Sequence, residues 1–165
     1  MGKAPVTTGS LDMRIHLFVR LFSAITALSV ASFAFAQAKP RVVEITGNDQ
    51  MKFSLTTITA KPGETLKVRL KSIGTLPKVV MGHNFVLLAK GTDVAAFANA
   101  ASMAGATGYI PETMKAKILA MTTLAGPGEA VEVTFKVPAS PGSYPYTCSF
   151  PGHFLAGMKG VLVVK

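Results

Sequence analysis

The clearest periodicity in the chain reads Thr65-Leu66-Lys67-Val68-Arg69-Leu70-Lys71. Apolar and basic side chains alternate here with a period of two, which predicts a β-strand with an apolar face inward and a basic face in water. Residues 62–64, Pro-Gly-Glu, form a turn before the run, and residues 74–77 form a loop after it. The basic face is interpreted as a solvated strand face.

Segments of the same character lie on both sides of this strand, at residues 42–46, 52–61, 84–88, 116–124, 130–137, 143–149 and 159–165. They are rich in β-branched and aromatic residues, and glycine and proline separate them. Residues 92–104 differ, because they are rich in alanine, begin at Thr92 as a candidate cap and end before Gly105. Seven or eight strands with frequent turns predict an all-β sandwich, with one short helical insertion around 92–104.

Composition narrows the class of protein further. The chain has 165 residues, a formal charge of +9 and a single cysteine. This length suits one domain, and a lone cysteine excludes both a disulfide framework and a structural zinc site built from several cysteines. Apolar residues make up 49% and charged residues 15%, which excludes a disordered chain.

The N-terminus predicts export. Arg14 and Arg20 precede an apolar run, residues 21–36, that ends in Ala34-Phe35-Ala36. This pattern is typical of a signal peptide over residues 1–36, cleaved before Gln37, which leaves a mature domain over 37–165 in the periplasm.

Two alternatives concern this leader. Met13 is a plausible true start, since Met13-Arg14 begins a leader of ordinary length. Retention as a membrane anchor is the other alternative, although the apolar run is shorter than the roughly 20 residues of a spanning helix.

The chemistry-bearing residues gather near the C-terminus. Cys148, His153 and Met158 follow a Cys-x4-His-x4-Met pattern, and His83 stands just before the apolar strand 84–88. Neighbouring strands of a sandwich can bring these four residues to one pole. Two imidazoles, a thiolate and a weak axial thioether are the ligand set of blue copper, whereas zinc has no use for a thioether.

Two other functions use the same residues. A copper-binding or delivery protein would need an accessible site that exchanges its ion. An enzyme with Cys148 as nucleophile and His153 as base is the third class, but no acidic residue lies near either of them in the sequence.

Four segments resemble the azurins: residues 47–53, 76–85, 148–153 and 158–160. The similarity extends over residues 41–165 and implies a cupredoxin, an eight-stranded Greek-key sandwich with one type 1 copper ion. By this resemblance His83, Cys148 and His153 are equatorial ligands, Met158 is the axial ligand, and the Gly82 carbonyl is a second, distant axial contact.

The resemblance also implies a shell around the ligands. Asn84 ties the two ligand loops together, and its backbone amide and that of Phe150 donate to the Cys148 sulfur. The sequence departs from azurins in lacking their disulfide, their additional non-ligand histidine and their buried tryptophan. Four residues separate His153 from Met158, one more than is typical of azurins, and this spacing is similar to that of auracyanins and plastocyanins.

The resemblance therefore implies a monomeric electron carrier and no enzyme. The electron is expected to leave through the His153 ring edge, within an apolar patch formed by Leu76, Met81, Phe154, Leu155 and Ala156. The expected partner is a c-type cytochrome or another periplasmic redox protein. Nucleic acid is not expected, because the protein is exported and its basic residues are not interleaved with aromatic ones.

Overall fold

The computed structural model describes residues 1–3 and 39–165. The cleavage point before Gln37, the alternative start at Met13 and most of the predicted leader 1–36 lie outside the described residues. Within them, no helix has both the length and the apolar character needed to span a membrane.

Within residues 39–165, eight strands form two sheets. Their bounds are β1 Arg41–Gly47, β2 Thr57–Ala60, β3 Thr65–Ser72, β4 Val86–Leu88, β5 Ile118–Met121, β6 Ala130–Lys136, β7 Gly142–Thr147 and β8 Lys159–Val164. One sheet has the order β1-β3-β6 and the other the order β2-β8-β7-β4-β5. Apolar side chains of both sheets share one core, and this confirms the predicted sandwich.

The alternation in β3 has the predicted consequence. Leu66, Val68 and Leu70 are completely buried, whereas Arg69 is exposed. The basic face is paired across the sheet with β6, where Lys67 and Arg69 contact Glu132 at 2.7 and 3.3 Å. Pairs this exposed contribute little to stability, so burial of the apolar face is what places β3 in the sandwich.

The helical insertion is present as α2, Val94–Ser102, but its cap differs from the prediction. The Asp93 carboxylate accepts from the amides of Ala95 and Ala96 at 2.9 and 3.0 Å. The Thr92 hydroxyl instead donates to the Ala89 carbonyl at 2.7 Å. The prediction of Thr92 as the cap was therefore wrong. Asp93 caps the helix, because the Thr92 hydroxyl is already bonded to the preceding turn.

Other segments are also helical. A single turn, α1, covers Lys78–Met81, and 3₁₀ turns cover Gly105–Thr107 and Glu112–Lys117. The last of these occupies the beginning of the predicted strand 116–124, so β5 starts only at Ile118.

The predicted strand 52–61 is regular only in its second half, β2. Phe53 folds back to bridge Gly47, and the Ser54 amide donates to the Thr46 carbonyl at 2.9 Å. Residues 47–53 therefore form a tight loop at the end of β1 and not the start of a long strand.

The register of the larger sheet brings the ends of three strands together at one pole of the sandwich. Val86, at the start of β4, pairs with Thr147 at the end of β7, and Thr147 also pairs with Lys159 at the start of β8. The segments adjoining these three ends contain His83, Cys148 and Met158. Antiparallel pairing thus brings residues far apart in sequence to one end of the sheet.

Candidate metal centre

Three side chains converge at this pole. His83, Cys148 and His153 each offer one donor atom, and these atoms lie within 4.8 Å of one another. His153 Nδ1 is 3.3 Å from His83 Nδ1 and 3.3 Å from Cys148 Sγ. His83 and Cys148 are 0% exposed and His153 is 1% exposed. The predicted grouping of these residues is therefore present in the structure.

The spacing of the donor atoms fits one metal ion. Nitrogen and sulfur ligands at about 2.0–2.3 Å from an ion stand roughly 3.3–3.7 Å from one another. Three such side chains, facing each other and buried from solvent, can satisfy only part of their hydrogen bonding among themselves. The two imidazoles and one thiol match the soft and borderline donors that copper prefers.

Burial keeps both imidazoles neutral. It lowers the pKa of His153 to about 4, and the neighbouring His83 contributes in the same direction. Burial also lowers the pKa of His83, against the opposing influence of the Asp49 carboxylate and the Asn48 carbonyl. Both rings therefore offer a free lone pair at neutral pH, the form that binds metal.

Burial shifts the pKa of the Cys148 thiol upward, so the thiol also keeps its neutral, protonated form. Burial raises the pKa of Cys148 to about 12, although the backbone amides of Asn84 and Phe150 favour the thiolate. These are the two amides that the family resemblance implied. Binding of a metal ion must displace the thiol proton, and the two amides remain to stabilise the sulfur charge.

A buried hydrogen-bonded pair joins the two ligand segments. Asn84, next to His83, donates from Nδ2 to the Ser149 hydroxyl at 2.8 Å. Its Oδ1 accepts from the Ser149 amide, also at 2.8 Å. Since Ser149 follows Cys148 directly, this pair fixes the distance between the imidazole of one loop and the sulfur of the other.

Replacement of Asn84 with alanine is expected to lower the free energy of unfolding of the metal-free protein by about 2–4 kcal/mol, because it leaves two buried polar groups of Ser149 unpaired. Urea unfolding of Asn84→Ala measures this loss. Ser149→Ala is the matched control, since it keeps the backbone bond and should lose only about 1 kcal/mol. Equal losses in both variants would contradict a role for the backbone bond.

Met158, the residue directly before β8, lies on another side of the cluster. It is completely buried, its amide donates to the His153 carbonyl at 2.9 Å, and its carbonyl accepts from the Cys148 amide at 3.1 Å. These two bonds hold the segment from Cys148 to Met158 as one compact loop.

Gly47 explains where the Met158 side chain ends. A Cβ atom on Gly47 would lie 2.8 Å from the Met158 methyl carbon and 3.0 Å from His83 Cδ2. The thioether end and the imidazole therefore share the same neighbour, and a side chain at residue 47 would displace one of them. Gly47 lies within the azurin-like segment 47–53, but this close approach is visible only in three dimensions.

Gly82 also lies at the site. Its carbonyl oxygen is 3.9 Å from Cys148 Sγ, and its role as a distant axial contact stays a prediction. A Cβ on Gly82 would lie 2.8 Å from the Lys78 carbonyl oxygen. Its φ of −70° is ordinary, so glycine is needed here for close approach to the turn α1.

Asn48 and Asp49, in the azurin-like segment 47–53, both act on the His83 ring. His83 Nε2 is buried with no hydrogen-bond partner of good geometry among the described residues. The Asn48 carbonyl and the Asp49 carboxylate both raise the pKa of His83 against its burial. Asp49 itself is held by the amide and hydroxyl of Thr75 at 2.8 and 3.0 Å.

The surface around the site is apolar in part. Leu76 is 43% and Leu155 83% exposed, and Val79 and Val80 extend the exposed apolar surface beyond the predicted patch. Met81, Phe154 and Ala156 are half-buried. The His153 ring edge, expected at the surface, is almost completely covered, and the Phe150 ring packs against it at 4.8 Å between centroids.

Comparison with known proteins agrees with this geometry. Residues 41–165 match a family described as copper binding proteins, plastocyanin/azurin family. Azurin-1 of Alcaligenes xylosoxydans xylosoxydans is 44% identical over 123 residues, which cover 73% of this chain and 94% of that protein. Auracyanin-B of Chloroflexus aurantiacus is 41% identical over 117 residues, 70% of this chain. The match spans about half of auracyanin-B, 48% of its length.

Solved structures are similar as well. Auracyanin A of Chloroflexus aurantiacus, described as a "blue" copper protein, superposes with a TM-score of 0.67 at 36% identity and covers 77% of this chain and 100% of that one. An azurin of Methylomonas sp. strain J gives a TM-score of 0.66 at 33% identity and covers 77% of this chain and 99% of that one.

Proposed function

The chain belongs to the plastocyanin/azurin family of copper-binding proteins, and from that membership we propose that it is an exported blue copper protein that carries single electrons between redox partners. The observation that carries this proposal is the buried convergence of His83, Cys148 and His153 beside the end of Met158. Bound copper would supply the one-electron couple between Cu(II) and Cu(I).

Each ligand residue has a role in this proposal. His83, Cys148 and His153 would hold the copper ion, and the Met158 thioether would be a weaker fourth ligand. The Gly82 carbonyl, 3.9 Å from the Cys148 sulfur, would supply a second, more distant contact. Two sets of hydrogen bonds hold these residues in place: the Asn84–Ser149 pair, and the backbone bonds of Met158 with His153 and Cys148.

A rigid and buried ligand set suits electron transfer. The ligand segments adjoin β4, β7 and β8 of the larger sheet and are joined by hydrogen bonds, so a change of charge at the centre would cause little rearrangement. Water is excluded from all three donor atoms, which also lowers the cost of solvent reorganisation. Fast exchange of single electrons follows from both properties.

Burial also favours a carrier over the two alternatives. A copper delivery protein needs ligands that an acceptor can reach, and Cys148 is 0% exposed. A Cys–His enzyme needs an open cleft and a low thiol pKa, whereas burial raises the pKa of Cys148 to about 12. We therefore propose no enzymatic activity.

The exposed apolar residues near the metal ligands suggest where a redox partner docks. His153 shares a loop with the exposed Leu155. Leu155 and Leu76 offer exposed apolar surface of the kind used in transient redox complexes. We propose that a c-type cytochrome or another periplasmic redox protein docks there on a monomer. The leader pattern in residues 1–36 supports export to the periplasm.

Spectroscopy of the copper-loaded protein tests the function directly. Cu(II) is expected to give an intense absorption band at about 600 nm, an EPR spectrum with narrow hyperfine splitting and a reversible one-electron potential. A colourless protein that holds Cu(I) alone and hands it to a chelator would contradict the carrier and support delivery.

A further inference from the structure

The backbone hydrogen bonds within the loop between His153 and Met158 leave the Ala156 carbonyl unused. The amides of Ala156, Gly157 and Met158 donate to Gly152, Phe154 and His153 at 3.0, 2.9 and 2.9 Å. The Ala156 carbonyl takes no part in these bonds. It accepts instead from Lys52 Nζ, which belongs to a segment 104 residues earlier.

A second observation locates the Lys52 ammonium. A Cβ on Gly157 would lie 3.0 Å from Lys52 Nζ, so the ammonium lies against the Ala156–Gly157 peptide as well as its carbonyl oxygen. This is a charge-assisted contact, stronger than a bond between neutral groups.

Lys52 is itself held by a tight loop. Its amide donates to Asn48 Oδ1 at 3.1 Å, and the next residue, Phe53, bridges Gly47. Gly47 is the residue against which the Met158 methyl and the His83 ring pack. Residues 47–53 therefore contact the Met158 segment at both its side chain and its backbone.

We propose that Lys52 is a positioning residue for the axial side of the metal centre. By holding the Ala156 carbonyl it fixes the end of the four-residue loop, and with it the position from which Met158 approaches the ion. This inference rests on the proposed copper site, but the hydrogen bond that carries it belongs to the protein without metal.

The charge of Lys52 is expected to have a second effect, on the reduction potential of the metal centre. Lys52 forms none of the ion pairs found among residues 39–165, so no carboxylate there neutralises it. A nearby positive charge disfavours Cu(II) relative to Cu(I). Lys52 is therefore expected to raise the reduction potential.

The test compares Lys52→Met with Lys52→Arg, which keeps both the charge and a donor. Lys136→Met is the charge-matched control. Lys136 pairs with Thr65 at the start of β3, whereas Gly47 at the site pairs with Ser72 at the opposite end of that strand. In metal-free protein, Lys52→Met should speed amide hydrogen exchange of Gly157 and Met158 roughly fivefold. In copper-loaded protein it should lower the reduction potential and alter the ligand-field spectrum, and Lys52→Arg should restore both.

Two results would overturn the inference. One is unchanged exchange at Gly157 and Met158 in Lys52→Met. The other is a Lys136→Met variant that shifts the potential as much as Lys52→Met, because the effect would then be a general charge effect. A wild-type protein without a blue band would refute the proposed function, while the metal-free exchange measurement would still decide whether Lys52 holds the loop.

Discussion

Replacement of Cys148 with serine is expected to abolish the intense visible band of the copper-loaded protein. The band arises from charge transfer between the sulfur and Cu(II), and Cys148 is the single cysteine of the chain. A serine hydroxyl does not lose its proton readily and is a poor ligand for copper. Absorption and EPR spectra of Cys148→Ser after copper loading measure the loss, which should be complete.

Met158→Leu is the matched comparison for this variant. It removes a buried sulfur of the same cluster but leaves the thiolate, so the blue band should persist with a shifted maximum and a changed potential. If Cys148→Ser kept the band and Met158→Leu lost it, the assignment of the two sulfur ligands would be wrong.

The second large effect is expected from Gly47→Ala. The new methyl group would lie 2.8 Å from Met158 Cε and 3.0 Å from His83 Cδ2. The end of Met158 is flexible and can move, whereas the His83 ring is confined by the cluster. We therefore expect a displaced thioether, a changed potential and a loss of about 1–3 kcal/mol in the unfolding free energy of the metal-free protein.

Gly105→Ala controls for the loss of glycine itself. A Cβ at Gly105 would meet its nearest neighbour, Tyr109 Cε1, at an ordinary 3.7 Å, so this variant should unfold like the wild type. The cost of Gly47→Ala should also be smaller in a Met158→Ala background, because the methyl that it strikes is gone. Additive costs in the double variant would show that Met158 is not the group displaced.

Local sequence predicted those features that depend on neighbouring residues. Alternation in β3, the apolar run in β4 and the alanine-rich segment of α2 each gave the right element, because burial of one face follows from the period of the side chains. Thr92 was a wrong cap, since two adjacent residues could both cap the helix and the preceding turn decided between them.

Predictions were weaker where one segment folds against another. Residues 52–56 have the composition of a strand, yet Phe53 bridges Gly47 and interrupts it. The exposed apolar surface also extends to Val79 and Val80, which lie in the short turn α1, a segment whose sequence indicates no exposed face.

The sequence by itself determined the fold class and the chemistry of the donors, because alternation and residue type are local properties. Two histidines, a cysteine and a methionine could be read as a copper set without coordinates. Tertiary structure alone decided how these donors are held. The register of β4, β7 and β8 gathers them, and Gly47 and Lys52 contact Met158 or its loop from far along the chain. Such contacts depend on sub-ångström packing between distant segments, which no local pattern records.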